Sequence, residues 1–150
     1  AHVARMAEWH AAHGRSLHDA LERLYRRHGL FESRQIALAF ERPEDAQALA
    51  SKLSRLRQHP PAALADLPVT GTRDLLHAPQ PDLPASDVFG FELAGAHRVT
   101  IRPSGTEPKL KIYLDCSRPL TAAEPIADAR AELNALTRRI ADDLRARLTR

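Results

Sequence analysis

The 150-residue chain contains one cysteine, so no disulfide can form within it and a disulfide-stapled secreted scaffold is excluded. A reducing, cytoplasmic setting is therefore expected. Aromatic residues make up only 5% of the chain, with one Trp and two Tyr, which is poor material for a base-stacking platform. No apolar run approaches the ~20 residues that span a bilayer, and no signal-peptide core precedes a cleavage site, so no membrane partner is expected. The excess of one charge sign is also small: 22 basic against 19 acidic residues, net +3. Those charges are dispersed rather than gathered into a stripe, which argues against nonspecific nucleic-acid binding. Lysine is the scarcest basic residue, present only at Lys52, Lys109 and Lys111. What remains is 43% hydrophobic, enough for one domain, or one domain plus part of a neighbour, to bury a core without metal or disulfide.

Periodicity organises the chain. Val3, Met6 and Ala7 share a helical face that ends near Gly14. This helix is already running at residue 1 without a capping side chain, as expected of a piece cut from a longer protein. Ser16 opens a second helix with an apolar stripe of Leu17, Ala20, Leu21, Leu24 and Tyr25, stopped by Gly29. From Arg34 to Phe40 the period drops to two, predicting a half-buried strand with Ile36, Leu38 and Phe40 inward. Pro43, Glu44 and Asp45 start a third helix, Ala46, Leu49, Leu53 and Leu56 face its core side, and His59-Pro60-Pro61 stops it. A short strand is expected within Leu67 to Leu75, then an exposed loop with three prolines from Ala78 to Pro84. Val88 to Leu93, His97 to Arg102 and Lys109 to Cys116 read as three strands, the first two joined by a hairpin turn at Ala94-Gly95-Ala96. A long amphipathic helix over Ala123 to Leu148 closes the chain, begun either by a Thr121/Glu124 capping box or with Pro125 as first helical residue. The order predicts an α+β fold: a mostly antiparallel sheet with helices packed on one face.

The segment Arg102-Pro103-Ser104-Gly105-Thr106-Glu107-Pro108-Lys109 has no apolar periodicity. A Ser-Gly-Thr run between strands is ordinarily just a turn, and strand lysines ordinarily form a solvated face. Yet a Lys-poor chain places two of its three lysines here. Arg102 offers a planar fork that holds two oxygens of one phosphate. Ser104 and Thr106 add hydroxyl donors. Gly105 at positive φ would turn consecutive amides toward one point. Lys109 and Lys111 share a strand face with Tyr113 and Asp115, while Leu110, Ile112, Leu114 and Cys116 take the core face. These groups suit a phosphate monoester, which carries about −1.5 to −2 charge at neutral pH. Glu107 opposes an anion and is expected instead to orient Arg102 or a lysine, or to bond a sugar hydroxyl.

Arg102 to Lys109, continuing Leu-Lys-Ile-Tyr, resembles the phosphate-binding loop in the C-terminal, fourth domain of the α-D-phosphohexomutases, the phosphoglucomutases, phosphomannomutases and their relatives. Leu56 to Pro61 and Leu83 to Val88 are similar to stretches upstream of that loop, and Met6 to Trp9 with Leu17 to Tyr25 to the end of the preceding domain. The resemblance implies a TATA-binding-protein-like α+β fold, with residues 1–29 a helical remnant and linker and residues 30–150 the phosphate-binding domain. It implies that a phosphoserine elsewhere in the full-length protein passes its phosphoryl group to a hexose phosphate, that the bisphosphate intermediate reorients, and that magnesium supports the transfer. In that scheme Arg102, Ser104, Gly105 and Thr106, with Lys109 or Lys111, grip the phosphate that is not reacting. The expected partners are a hexose phosphate and the other domains of the same chain. The family's phosphoserine, metal and sugar loops have no counterpart in these residues, so no catalytic residue and no metal site is expected here, and the chain alone is expected to be inactive. A phosphoglucosamine mutase domain, or a nonenzymatic anion- or nucleic-acid-binding module using Tyr113, are the alternatives.

The remaining conspicuous residues have plain expectations. His10 and His13 lie three apart without a completing ligand and are expected to be solvated. Cys116 is expected to pack as a small hydrophobe, and Trp9 to be exposed.

Overall fold

The computed structural model describes residues 1–40, 42–78 and 84–149. Two helices, α1 (His2–Ala12) and α2 (Leu17–His28), lead into strand β1 (Leu30–Ala39) and helix α3 (Pro43–Gln58). Strands β2 (Ala63–Leu64), β3 (Leu67–Asp74), β4 (Phe89–Leu93), β5 (His97–Pro103) and β6 (Lys109–Arg118) follow, and helix α4 (Ile126–Thr149) ends the chain. The sheet order is β1-β6-β5-β4-β3-β2, with every neighbouring pair antiparallel. The fold is α+β, as the element order predicts.

Local chemistry accounts for the element ends. The Ser16 hydroxyl accepts from the Asp19 N–H at 3.1 Å, and the Asp19 carboxylate accepts from the Ser16 N–H at 2.7 Å, a reciprocal box that starts α2. Gly29 ends it at φ 91°, and a Cβ there would lie 2.6 Å from the Arg118 carbonyl oxygen, so a side chain is excluded on both counts. In the β4–β5 hairpin, Gly95 and Ala96 take φ of 87° and 62°. A second tight hairpin, β2–β3, turns at Ala65 and Asp66, both at positive φ. Neither residue carries the Asn-Gly signature of such turns, and β2 is absent from the sequence reading for that reason. Its Ala65 N–H is instead held from outside, by the Asp143 carboxylate of α4 at 2.8 Å. At the start of α4 the expected Thr121/Glu124 contact is half present, the Glu124 carboxylate accepting the Thr121 N–H at 3.4 Å, but it lies in the turn before the helix. The Pro125 carbonyl accepts the first helical bond, from Ala129, so Pro125 precedes the helix, while Glu124 engages Arg118 through its side chain. β1 begins at Leu30, four residues earlier than the alternation suggests, because Glu32 and Arg34 occupy inward positions that read as polar. The proline-bearing stretch Ala78 to Pro84 falls mostly outside the described residues, at 79–83.

One sheet face carries the core. Ile36, Phe89, Phe91, Val99, Ile101, Leu110, Ile112, Leu114 and Cys116 are buried there under Leu49 and Leu53 of α3 and Leu133, Ile140, Leu144 and Leu148 of α4. Phe89 and Phe91 meet edge to face at 5.0 Å. Burial raises the Cys116 thiol pKa, in keeping with a packing role. α1 and α2 behave differently: neither buries a residue, and Val3, Met6, Trp9 and Leu24 are each more than half exposed. The apolar stripe of α2 is real, but only Tyr25 reaches the core. No helix among the described residues is long and apolar enough to cross a membrane.

Truncating Leu144, fully buried in the C-terminal half of α4, is expected to cost about 2–5 kcal/mol in urea unfolding, the range for a core Leu→Ala. His97 supplies a pH test. Its ring is buried, its Nδ1 accepts the Ser117 N–H at 3.3 Å, and burial holds its pKa below the ordinary 6.5. A base with a depressed folded-state pKa binds its proton more readily when unfolded. Native stability is therefore expected to fall as pH drops below about 6.5, and His97→Gln should flatten that slope in pH-dependent unfolding.

Candidate functional site

Alternation along β5 and β6 sends Val99, Ile101, Leu110 and Ile112 into the core and leaves Arg102 and Lys111 on the open face. Register then sets the two cations opposite each other, Arg102 against Lys111, with Ala37 of β1 on the far side of Lys111. Like charges directly across a sheet are unfavourable. The other end of the same face shows how such a charge is normally balanced. Arg98 lies opposite Asp115 and donates to Glu92 at 3.2 Å. Among the described residues no carboxylate pairs with Arg102 or with Lys111.

The loop between these strands is closed by its own backbone. The Ser104 N–H donates to the Lys109 carbonyl at 2.8 Å and the Lys109 N–H to the Glu107 carbonyl at 2.7 Å. The Phe40 N–H donates to the Pro108 carbonyl at 2.9 Å and ties the loop to the end of β1. Gly105, Thr106, Glu107 and Pro108 are exposed, and Ser104 is half-buried. Gly105 does not take positive φ, which corrects the expectation of an amide cradle built on it. The backbone bonds close this turn without a left-handed residue, and the space where a Gly105 Cβ would sit is open. On its helix side the loop roofs a cleft floored by Phe40, Ala46, Leu49 and Leu53, with Ser104, Glu107 and Lys109 at its rim.

Lys109 is placed differently from Lys111. Its ammonium pairs with the Glu107 carboxylate. The hydrogen bond and charge of Lys109, with a smaller pull from Lys111, hold Glu107 below the usual carboxylate range. Of the three roles open to Glu107, the structure shows the lysine contact. Tyr113 sits between Thr100 and Gln35 in register, without an aromatic neighbour.

The structure also adds a network that the sequence reading passed over. Arg57 of α3 pairs with Asp87 and approaches Asp74 at 3.7 Å, and Asp74 in turn holds His77 at 2.8 Å. The Arg57 guanidinium lies over the Phe89 ring at 5.6 Å. This joins Leu56–Pro61 to the residues leading into β4, two of the stretches on which the family resemblance rests. The signal was the lone arginine on the core side of α3. Its carboxylates are spent on a guanidinium, and no group of three or more His, Cys, Asp or Glu among the described residues is placed to hold a metal. The magnesium that the resemblance implies thus has no fitting site in these residues. His13 Nδ1 lies 2.7 Å from the Trp9 carbonyl, an ordinary i,i+4 helix contact.

An antiparallel sheet covered by helices on one side and open on the other, with Arg102 set opposite Lys111 at one end, defines an α+β domain. Residues 36–133 match the family described as phosphoglucomutase/phosphomannomutase, C-terminal domain, and the chain belongs to that family. It is 33% identical over 102 residues to a probable phosphomannomutase of Haemophilus influenzae, covering 68% of this chain and 20% of the relative. It is 31% identical over 110 residues to a phosphoglucomutase of Staphylococcus haemolyticus, covering 67% and 20%. A phosphoglucomutase of Staphylococcus epidermidis is 30% identical over 127 residues, covering 77% and 23%. The chain thus spans about a fifth of the length of these relatives.

The Arg102–Lys111 juxtaposition carries a stability cost that can be measured. Lys111→Gln is expected to raise unfolding free energy by about 0.2–1 kcal/mol, the scale of a relieved cross-strand repulsion. A loss of stability would mean that the ammonium has a compensating partner.

Proposed function

We propose that this domain grips the phosphate of a hexose phosphate, as the non-transferring-phosphate site of a phosphoglucomutase or phosphomannomutase. The observation that carries the reading is the cation pair at the base of the loop, Arg102 opposite Lys111, neither of which has an ion-pair partner among the described residues. That repulsion costs the sheet little in water, and a dianionic phosphate bound between the two cations turns it into attraction to a shared counter-charge. Arg102 gives the bidentate fork, Lys111 a point charge across the strand, and Ser104 and Thr106 hydroxyls at the loop. Gly105 contributes open space for the anion's approach rather than a left-handed turn. The paired strands fix where Arg102 and Lys111 are anchored, so the cost of binding is confined to ordering the side chains themselves.

In this reading the whole enzyme interconverts hexose 1-phosphate and hexose 6-phosphate through a phosphoserine and a bisphosphate intermediate. The phosphoserine and the magnesium site belong to other domains of that enzyme, and these residues perform no bond-breaking. A site that recognises phosphate itself serves either end of the sugar as the intermediate turns. The division of the chain into a helical remnant, 1–29, and a phosphate-binding domain, 30–150, is supported by the exposed apolar residues of α1 and α2, which a preceding domain would cover.

Titration with glucose 1-phosphate, followed by amide NMR, is expected to shift Ser104, Gly105 and Thr106 first. Arg102→Ala should weaken binding about 10- to 100-fold, the loss of one charged hydrogen-bonding fork. Shifts confined to the β2–β3 end of the sheet would contradict the assignment.

A further inference from the structure

The loop presents three cations, and among the described residues two of them, Arg102 and Lys111, have no ion-pair partner. Lys109 is held by Glu107, two residues earlier in the same turn. The contact is built into the backbone: the Lys109 N–H to Glu107 carbonyl bond, 2.7 Å, brings the two residues together and leaves their side chains only to rotate into contact. The lysine is the more sheltered partner, 26% exposed against 56% for the glutamate. A carboxylate beside an anion site is repulsive, and among the described residues the one ion pair of the Glu107 side chain is with Lys109, Lys111 adding only a weaker, longer-range attraction. Its contact with Lys109 is therefore its main occupation.

We infer that Glu107 is the site's own counter-ion: it occupies Lys109, competes with the incoming phosphate for it, and sets affinity below what three free cations would give. This rests on the phosphate reading above. With Glu107 in place the site carries +2, matching a dianionic phosphate; without it the charge is +3. The ligand must also be let go, because a bisphosphate that reorients has to exchange one phosphate for the other in the same grip. An internal carboxylate that re-pairs with Lys109 as the phosphate leaves lowers the barrier to that exchange, as differential binding requires. It also makes the two lysines unequal: Lys111 supplies charge outright, and Lys109 only what it can withdraw from Glu107. A glutamate carboxylate is ionised at neutral pH, and the neighbouring Lys109 only favours that form further, so the competition is present under ordinary conditions.

The test is calorimetric titration of the 150-residue chain with glucose 1-phosphate and with the monoanionic glucose 6-sulfate at pH 7.5. Glu107→Gln is expected to tighten glucose 1-phosphate binding about three- to tenfold, the scale of one exposed charge acting on a dianion. The gain for the sulfate ester should be smaller, since Coulomb energy scales with ligand charge. Lys109→Met should weaken wild-type binding less than Lys111→Met does, and the Glu107→Gln gain should largely disappear in a Lys109→Met background. Unchanged or weaker binding by Glu107→Gln, an equal gain for the sulfate ester, or equal losses at the two lysines would overturn the counter-ion role while leaving phosphate recognition standing. Failure of the wild-type chain to bind glucose 1-phosphate would overturn both.

Discussion

The structure depends most on the register between β5 and β6. That register is fixed by burial: Val99, Ile101, Leu110, Ile112 and Leu114 must all face the helices, and a slip of one residue would turn each of them to solvent. Once it is fixed, Arg102 has no choice but to stand opposite Lys111. The core therefore creates the charged site as a by-product of its own packing. The molecule holds an unfavourable electrostatic contact with several favourable apolar ones, and the strained pair is what a ligand can relieve. The contrast with Arg98, balanced by Asp115 and Glu92 on the same face, shows that the sheet is able to neutralise an arginine, and among the described residues it does not do so at Arg102.

Most of the architecture was legible in the sequence because hydrophobic period and helix-end chemistry agree with each other. Ser16, Gly29, the Pro43 start and the alternation of β4 to β6 all carry local signals that the tertiary structure leaves in place. The misses have physical causes. β2 is two residues long and turns through Ala65 and Asp66, whose left-handed backbone is stabilised by Asp143, 78 residues away in the chain. The early part of β1 hid behind Glu32 and Arg34, inward positions at the sheet edge where long side chains keep their heads in water.

The site was legible in its membership and less so in its geometry. Spacing alone places Arg102, Lys109 and Lys111 on the open face. It does not tell that Lys109 is taken by Glu107, because that pairing is decided by how the turn closes, Ser104 to Lys109 and Lys109 to Glu107. It also overstates Gly105, whose freedom to adopt positive φ is not used here. The Arg57 network was only half readable: Arg57 stands on the core side of α3, but its carboxylates, Asp74 and Asp87, flank a proline-bearing stretch that gives no periodic signal, and only the fold brings them to α3.

The most direct measurement is a crystal structure of the chain grown with glucose 1-phosphate. The account predicts the phosphorus between the Arg102 guanidinium and the Lys111 ammonium, with oxygens of the same phosphate in hydrogen-bond reach of both. A sugar phosphate held elsewhere on the domain, with those two cations still facing solvent, would contradict it.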